Sequence, residues 1–450
     1  MKTKSDKTIY RQLFTLVLPI AFQNLMSSAV SASDALMLGM LDQDSLSAIS
    51  LATQVAFFIG LFFFGIASGA TVLTAQYWGK GDEEAVKNIT AIALRYSMLV
   101  GLVGTILAFV APQLLMRIFT DNPVLIKAGA LYLRVVALSY FLTGFSQIYL
   151  TIMKNCGKAL QSSIIGSISV VLNIVLNGVL IFGLIGAPRM GIKGAALATV
   201  LARLFECIAS IVIMLRGNCV MVSISRILNL PSIAMKNDFW KYTLPILINQ
   251  LGWGGGVTMY PVIMGHLGSD ATAANSIANI VRSMTASLCW GVAAGVGIIL
   301  GNMMGRGELD KAKREGGRFV RLSIVIGVLS GLVIIAMIPS TLVVVKLSVR
   351  AKHYLKGMLF LASYYIIGNS LNSTIISGIF VAGGDTKFGM ICDLITLWAV
   401  IVPMGFLAAF VFKWPVMVVA FILTLDEFVK IPAVYIHYMK YKWVKNLTRD

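Results

Sequence analysis

Long apolar runs separated by short polar breaks recur along the whole chain. Runs of about twenty residues or more, such as 95–116, 161–186 and 320–345, have the length a helix needs to cross the hydrocarbon core of a bilayer. The pattern predicts six spans in the first half, at 13–38, 51–77, 90–112, 130–152, 162–186 and 192–215. Six more follow at 242–265, 275–303, 319–345, 355–380, 387–412 and 415–438. Twelve spans of about 21 residues use about 250 residues, which leaves helix ends and short loops and no room for a large soluble domain.

Composition agrees. The 450 residues are 58% hydrophobic and 12% charged, against about 25% charged for soluble domains, which excludes a soluble globular protein. A net charge of +18 would suggest nucleic acid in a soluble chain. Here most of the 37 Lys and Arg fall on one side of the predicted spans. They include Lys2, Lys4, Lys7 and Arg11, the run 306–321, and Lys440, Lys442, Lys445 and Arg449. By the positive-inside rule both termini are cytoplasmic, in the cell inner or plasma membrane, and no nucleic-acid partner is expected. Five cysteines without CxxC spacing and three scattered histidines offer no disulfide framework, zinc site or nucleophile–base pair. An enzyme is therefore not expected. The small residues of 27–32 could mark a signal-peptide cleavage point, but an internal repeat argues for retention of the first helix.

Shifting the chain by 226 residues aligns Leu18-Pro19-Ile20 with Leu244-Pro245-Ile246 and Gly39-x-Leu41 with Gly265-x-Leu267. It also aligns Gly65-x-Ala67-x-Gly69 with Gly291-x-Ala293-x-Gly295, and Gly79-x-Gly81 with Gly305-x-Gly307. Over 18–87 against 244–313 there are 17 identities without a gap. Six helices return the chain to its starting side, so the halves are parallel repeats. The expected fold is an all-α membrane protein of twelve transmembrane helices, in two six-helix lobes related by a pseudo-twofold axis along the membrane normal. The lobes would be 1–215 and 242–450, joined by a cytoplasmic linker 216–241. A cleft between rocking lobes is the alternating-access design of a secondary transporter. With no GxxxxGK[ST] loop the energy is expected from an ion gradient.

An ordered set of motifs carries a resemblance. The set is the early Leu-Pro helix, Asp34 followed by Gly39, Ala75-Gln76-x-x-Gly79-x-Gly81 and its copy Gly301-Asn302-x-x-Gly305-x-Gly307. Gly157-Lys158 precedes a helix with Asn173 and Asn177, and Gly194-Ala195-Ala196-x-Ala198-Thr199 and Gly383-Gly384-Asp385-Thr386-Lys387 follow. Over essentially the whole chain these resemble the MATE family, the multidrug and toxic compound extrusion transporters, in its bacterial branches. The resemblance implies export of organic cations and other amphipathic small molecules in exchange for inward Na+ or H+, with no other cofactor.

Ionisable groups inside spans are costly and mark function or pairing. Gln23, Ser27, Ser31 and Asp34 form one stripe, and the repeat places Tyr260 opposite Asp34, so this acid belongs to one half only. By resemblance, Asp34, Asn173, Asn177 and Thr199 match the family's cation site in the amino-terminal lobe. Asn177 stands where many members carry a second acid, which favours a proton slightly over sodium. Hydrogen bonding between packed helices accounts equally well for the two asparagines and the threonine. Asp393 and Glu427 are candidates for a second proton or substrate-cation site. Asp393 could equally be a solvated acid near the inner end of its span, and Asp426 or Glu427 could simply neutralise Lys430. Arg203 and Glu206 read as a structural ion pair. Polar positions that could line the cleft are Gln23, Asn24, Tyr140, Gln147, Asn249, Gln250, Tyr260, Tyr365 and Asn369. The mid-span glycines read as close helix contacts or hinges, and Pro19 and Pro245 as kinks. A lipid-linked-precursor flippase is the nearest alternative, and a passive channel a more distant one. A monomer in contact with membrane lipid is the expected working unit.

Overall fold

A computed structural model describes residues 13–39, 43–186, 188–217, 219–229, 232–345 and 347–449. Among these residues there is no strand, and twelve long helices dominate. The first six are α1 (Leu18–Gly39), α2 (Gln43–Lys80), α3 (Glu83–Val110), α4 (Pro123–Asn155), α5 (Ala159–Phe182) and α6 (Ile192–Leu215). The next three are α7 (Ile233–Gly265), α8 (Ser269–Gly305) and α9 (Leu309–Val344). α10 (Val349–Asn372) runs on into a π-helical stretch, Ser373–Phe380, and α11 (Thr386–Leu394) into another, Ile395–Ile401. α12 comes in two pieces, Val416–Leu423 and Asp426–Met439. Each expected span falls on one of these helices.

Local chemistry sets the ends. Asp82 caps α3 by accepting from the Ala85 N–H at 2.9 Å, and Asn122 caps α4 by accepting from Val124 at 2.9 Å, with Pro123 where no N–H is needed. The turn after α2 needs a left-handed residue, supplied by Gly81 at φ 86, and the turn after α8 uses Gly307 at φ 78. In both turns the next N–H returns to a carbonyl of the preceding helix. Asp82 donates to Tyr77 and Glu308 to Met303, each at 3.0 Å.

Among the described residues, eight helices are by themselves long and apolar enough to cross a membrane, namely α2 to α6, α8, α9 and α11 with its continuation. α7 is diluted by amides, glycines and prolines, α10 begins with Arg350, Lys352 and Lys356, and α12 is interrupted at Thr424–Leu425. α10 and α12 are also the helices that carry a buried polar network.

Two compact units form, Met26–Thr243 and Leu244–Asp450 together with Met1–Leu25. Within the first, the linker segment lies on α3 and α4: Arg95 donates to the Leu228 carbonyl at 2.8 Å and Tyr149 to Val220 at 3.3 Å. The repeat persists in packing where identity has faded. Ser97 donates to the Gly144 carbonyl at 2.7 Å, where α3 crosses α4. At the same offset of 226 the matching positions are bonded with donor and acceptor exchanged: Ser370, the counterpart of Gly144, donates to the carbonyl of Ser323, the counterpart of Ser97, at 2.7 Å where α9 crosses α10. Gly101 and Gly327 permit these crossings, since an added Cβ would meet Phe141 Cα and Ile367 Cα respectively at 3.0 Å. Small residues and hydroxyl-to-carbonyl bonds are what packing in lipid favours. The other face of α9 presents Val325, Leu329, Leu332 and Val333, all exposed, as a helix solvated by hydrocarbon requires.

Candidate functional site

The buried charges converge in the unit that contains Leu244–Asp450. Lys430, on the second piece of α12, places Nζ 2.9 Å from Asp393 Oδ1 on α11 and 3.0 Å from Glu427 Oε2 one turn earlier. Asn249 of α7 donates to Asp393 Oδ2 at 3.0 Å. From α10, Asn369 donates to Glu427 Oε1 at 3.0 Å, and Asn372 donates to Oε2 at 2.8 Å and to the Glu427 carbonyl at 2.6 Å. Tyr365 completes the set at 3.4 Å from Oε1. Four helices thus meet around one ammonium and two carboxylates. Such a cluster is tolerable away from water only because every charge is paired and hydrogen-bonded.

The backbone leaves regular α geometry at this place. The π stretch of α10 begins directly after Asn372, that of α11 begins two residues after Asp393, and α12 restarts at Asp426. π segments recur at functional positions. Restarting α12 also puts Asp426 and Glu427 in a first helical turn, where the free N–H groups favour negative charge. Several polar atoms remain buried without a hydrogen-bond partner, among them Asp426 Oδ1, Asn249 Oδ1, Asn369 Oδ1 and the Tyr260 hydroxyl. Next to the cluster, Tyr260, Asn275, Asn279, Arg282 and Thr424 bound a cavity with methionine walls, Met264 and Met358. Arg282 donates to Asn279 at 2.7 Å and lies over the Tyr365 ring, 5.0 Å from its centroid.

The contacts narrow one of the two readings of Asp393. Asp393 is not a solvated acid, because its side chain is 14% exposed and bound to Lys430 and Asn249. Asn249, Tyr365 and Asn369, read from the sequence as cleft-lining positions, each place one polar group on a carboxylate, while Asn249 Oδ1 and Asn369 Oδ1 remain without a partner. The expected neutralisation of Lys430 within α12 is made by Glu427, and Arg203 pairs with Glu206 at 2.8 Å. Nothing in the spacing pointed to Asn372 or to the Asp393–Lys430 pair.

In the other unit, Asn173, Asn177 and Thr199 come together. Asn173 donates to Thr199 Oγ1 at 3.4 Å, Asn177 to Asn173 Oδ1 at 3.3 Å, and Thr199 to the Ala195 carbonyl at 3.1 Å. Asp34 falls on α1, and its side chain lies outside the described residues, as does that of Ser31. Among the remaining cleft candidates, Tyr140 is buried with an unpartnered hydroxyl. Asn24 donates to the Ser287 carbonyl at 3.4 Å, and Gln23, Gln147 and Gln250 are half-buried.

These features define a multi-pass integral membrane protein built from a duplicated six-helix unit, with an internal ion cluster. The MatE family model matches it twice, over residues 19–179 and 245–407, and the two matches begin 226 residues apart. The chain belongs to the MatE family and is a transporter, not an enzyme. It is 25% identical over 424 residues to the probable multidrug resistance protein YoeA of Bacillus subtilis, covering 90% of this chain and 88% of that one. It is likewise 25% identical over 425 residues to the probable multidrug resistance protein NorM of Rhizobium meliloti, covering 91% and 87%. A MOP superfamily transporter from Pyrococcus furiosus, described for a binding pocket of reverse polarity, superposes with a TM-score of 0.87 at 18% identity and 96% coverage of each chain. An outward-facing multidrug resistance MATE transporter gives 0.85 at 18% identity and 97% coverage of each.

Proposed function

We propose that this protein is a cation-coupled antiporter that exports organic cations and other amphipathic drugs or toxic compounds by alternating access, exchanging them for H+ or Na+. It works as a monomer in the cell inner or plasma membrane, with both termini in the cytoplasm. The observation that carries this reading is the Asp393–Lys430–Glu427 cluster. Ionisable groups held together within spans, at the point where three helices leave α geometry, are what an ion-driven pump requires and a passive pore does not. The names of relatives with multidrug resistance support drug-like substrates. The flippase alternative predicts a cationic cavity; Lys430 is paired with Asp393 and Glu427, which leaves Arg282 as the one cationic side chain among the cavity's lining residues.

The Asn173, Asn177 and Thr199 constellation supports a second cation site in the other unit, to which the family resemblance adds Asp34. The test is accumulation of a fluorescent organic cation in everted vesicles under a proton gradient and, separately, a sodium gradient. Accumulation driven by either gradient supports antiport and names the ion. Its absence under both, in a membrane shown to hold the folded protein, contradicts the reading.

A further inference from the structure

The ion cluster itself suggests how exchange is enforced, an inference that rests on the export reading and deepens it. Lys430 touches two carboxylates, Asp393 at 2.9 Å and Glu427 at 3.0 Å. A third, Asp426, precedes it by four residues, the spacing at which an acid and a lysine share a helix face. Asp426 is 5% exposed and its Oδ1 has no partner. A buried carboxyl with a bare oxygen is a place that a proton satisfies. Asp393 is the most accessible member of the set, its side chain 14% exposed against 9% for Lys430 and 3% for Glu427.

The other titratable or charged groups around the cluster are Tyr260 of α7, Arg282 of α8, Tyr365 of α10 and Cys392 of α11. Near neutral pH, phenols and thiols are ordinarily uncharged and a guanidinium is charged. The groups left to change state are the three carboxyls and Lys430.

The geometry points to a relay in which Asp426 carries the coupling proton, Lys430 is a tethered cation that moves between Asp393 and Asp426, and Asp393 receives the cationic centre of the exported compound. In the observed arrangement Lys430 occupies Asp393. When an organic cation arrives at Asp393, the Lys430 ammonium turns to Asp426. The O–H bond of Asp426 breaks, the proton leaves to water, and the carboxylate so formed accepts the ammonium. One cation has entered and one proton has left, so the net charge of the cluster is unchanged. Glu427 stays fixed by Asn369 and Asn372 and holds Lys430 in both positions. Protonation of Asp426 reverses the exchange, returning Lys430 to Asp393 and expelling the cation.

The experiment uses the purified full-length protein in detergent with tetraphenylphosphonium as the probe. Binding is followed by equilibrium dialysis, and proton release by a pH dye in weak buffer. Wild type should release about one proton per probe bound, with affinity rising on the order of tenfold per pH unit. Asp426→Asn, which holds position 426 in its uncharged form and so leaves Lys430 on Asp393, should bind the probe weakly at every pH, without release and without pH dependence. Lys430→Met should bind the probe more tightly, again without release. Should the charge deletion at Lys430 prevent folding, the isosteric Asp426→Asn decides alone. Release and pH dependence that survive in Asp426→Asn contradict the relay. Gradient-driven accumulation in vesicles, combined with probe binding that releases no proton in wild type, contradicts the relay and leaves the export reading standing. No accumulation under either gradient removes the export reading and the relay with it.

Discussion

Val17 lies against Gly295, so closely that a Cβ on the glycine would meet Val17 Cγ2 at 2.6 Å. Moved back by 226 residues the relationship recurs in the other unit, where a Cβ on Gly69 would meet the Thr243 Cβ at 2.6 Å. In each case the glycine belongs to the second helix of a repeat and its neighbour stands just before a Leu-Pro-Ile. Val17, just before α1, and Ala21 in its first turn lie against Gly295 and Gly291 of α8, and Thr243 of α7 lies against Gly69 of α2, so neither entry segment joins the glycine of its own repeat.

Gly295→Val and Gly69→Val should each lose about 1–3 kcal/mol by overpacking. Thermal unfolding of the purified variants in detergent checks this, and similar losses at the two sites are expected because the contacts match. Unchanged melting at either position would show that the close approach is not required.

Ser97→Ala and Ser370→Ala remove the hydroxyl-to-carbonyl bonds at two equivalent helix crossings. Such bonds within membranes average about 0.6 kcal/mol, so each variant should be mildly destabilised and still transport. Loss of transport in a stably folded variant would assign these crossings more than a packing role.

Removing one partner from a buried ion pair costs about 3–5 kcal/mol because the other charge is stranded. Lys430→Met should therefore be strongly destabilising, and Lys430→Met with Glu427→Gln less so than the sum of the two single changes. A double-mutant cycle by thermal unfolding reads the coupling, and strict additivity would contradict the pairing.

Outside the membrane, Glu308 in the turn between α8 and α9 is held below its usual range by a hydrogen bond from Lys311, helped by Arg306. A depressed carboxyl contributes stability above its unfolded value, and that contribution is lost as pH falls through the folded one. With Glu308 about 34% exposed, the effect is about a few tenths of a kcal/mol. Glu308→Gln should remove that small acid-range slope, and raised salt should mask the difference. A slope unaltered in the variant would contradict it.

Much of the fold is legible in the sequence because span length and glycine or proline punctuation are local signals. The offset of 226 found over 18–87 predicts turns and crossings far beyond the identities, such as Ser97–Gly144 and its copy. The ion cluster was only half legible. Glu427 and Lys430 are three apart, within reach of a helical spacing rule, whereas Asp393 is 37 residues from Lys430 and Asn249 is 144 from Asp393. No periodicity links residues at such separations; the meeting depends on how α7, α10, α11 and α12 pack. Polar positions inside spans can be read from the sequence, but their bonding partners cannot, because those partners sit on other helices.

The central claim, that coupling is carried by the α11–α12 cluster, is tested most directly by gradient-driven accumulation of one fluorescent cation in vesicles holding equal amounts of folded wild type, Asp393→Asn or Asp34→Asn. The account predicts that Asp393→Asn abolishes accumulation under the gradient that drives wild type. Accumulation that survives in Asp393→Asn and is lost only in Asp34→Asn would contradict it and place coupling in the unit Met26–Thr243.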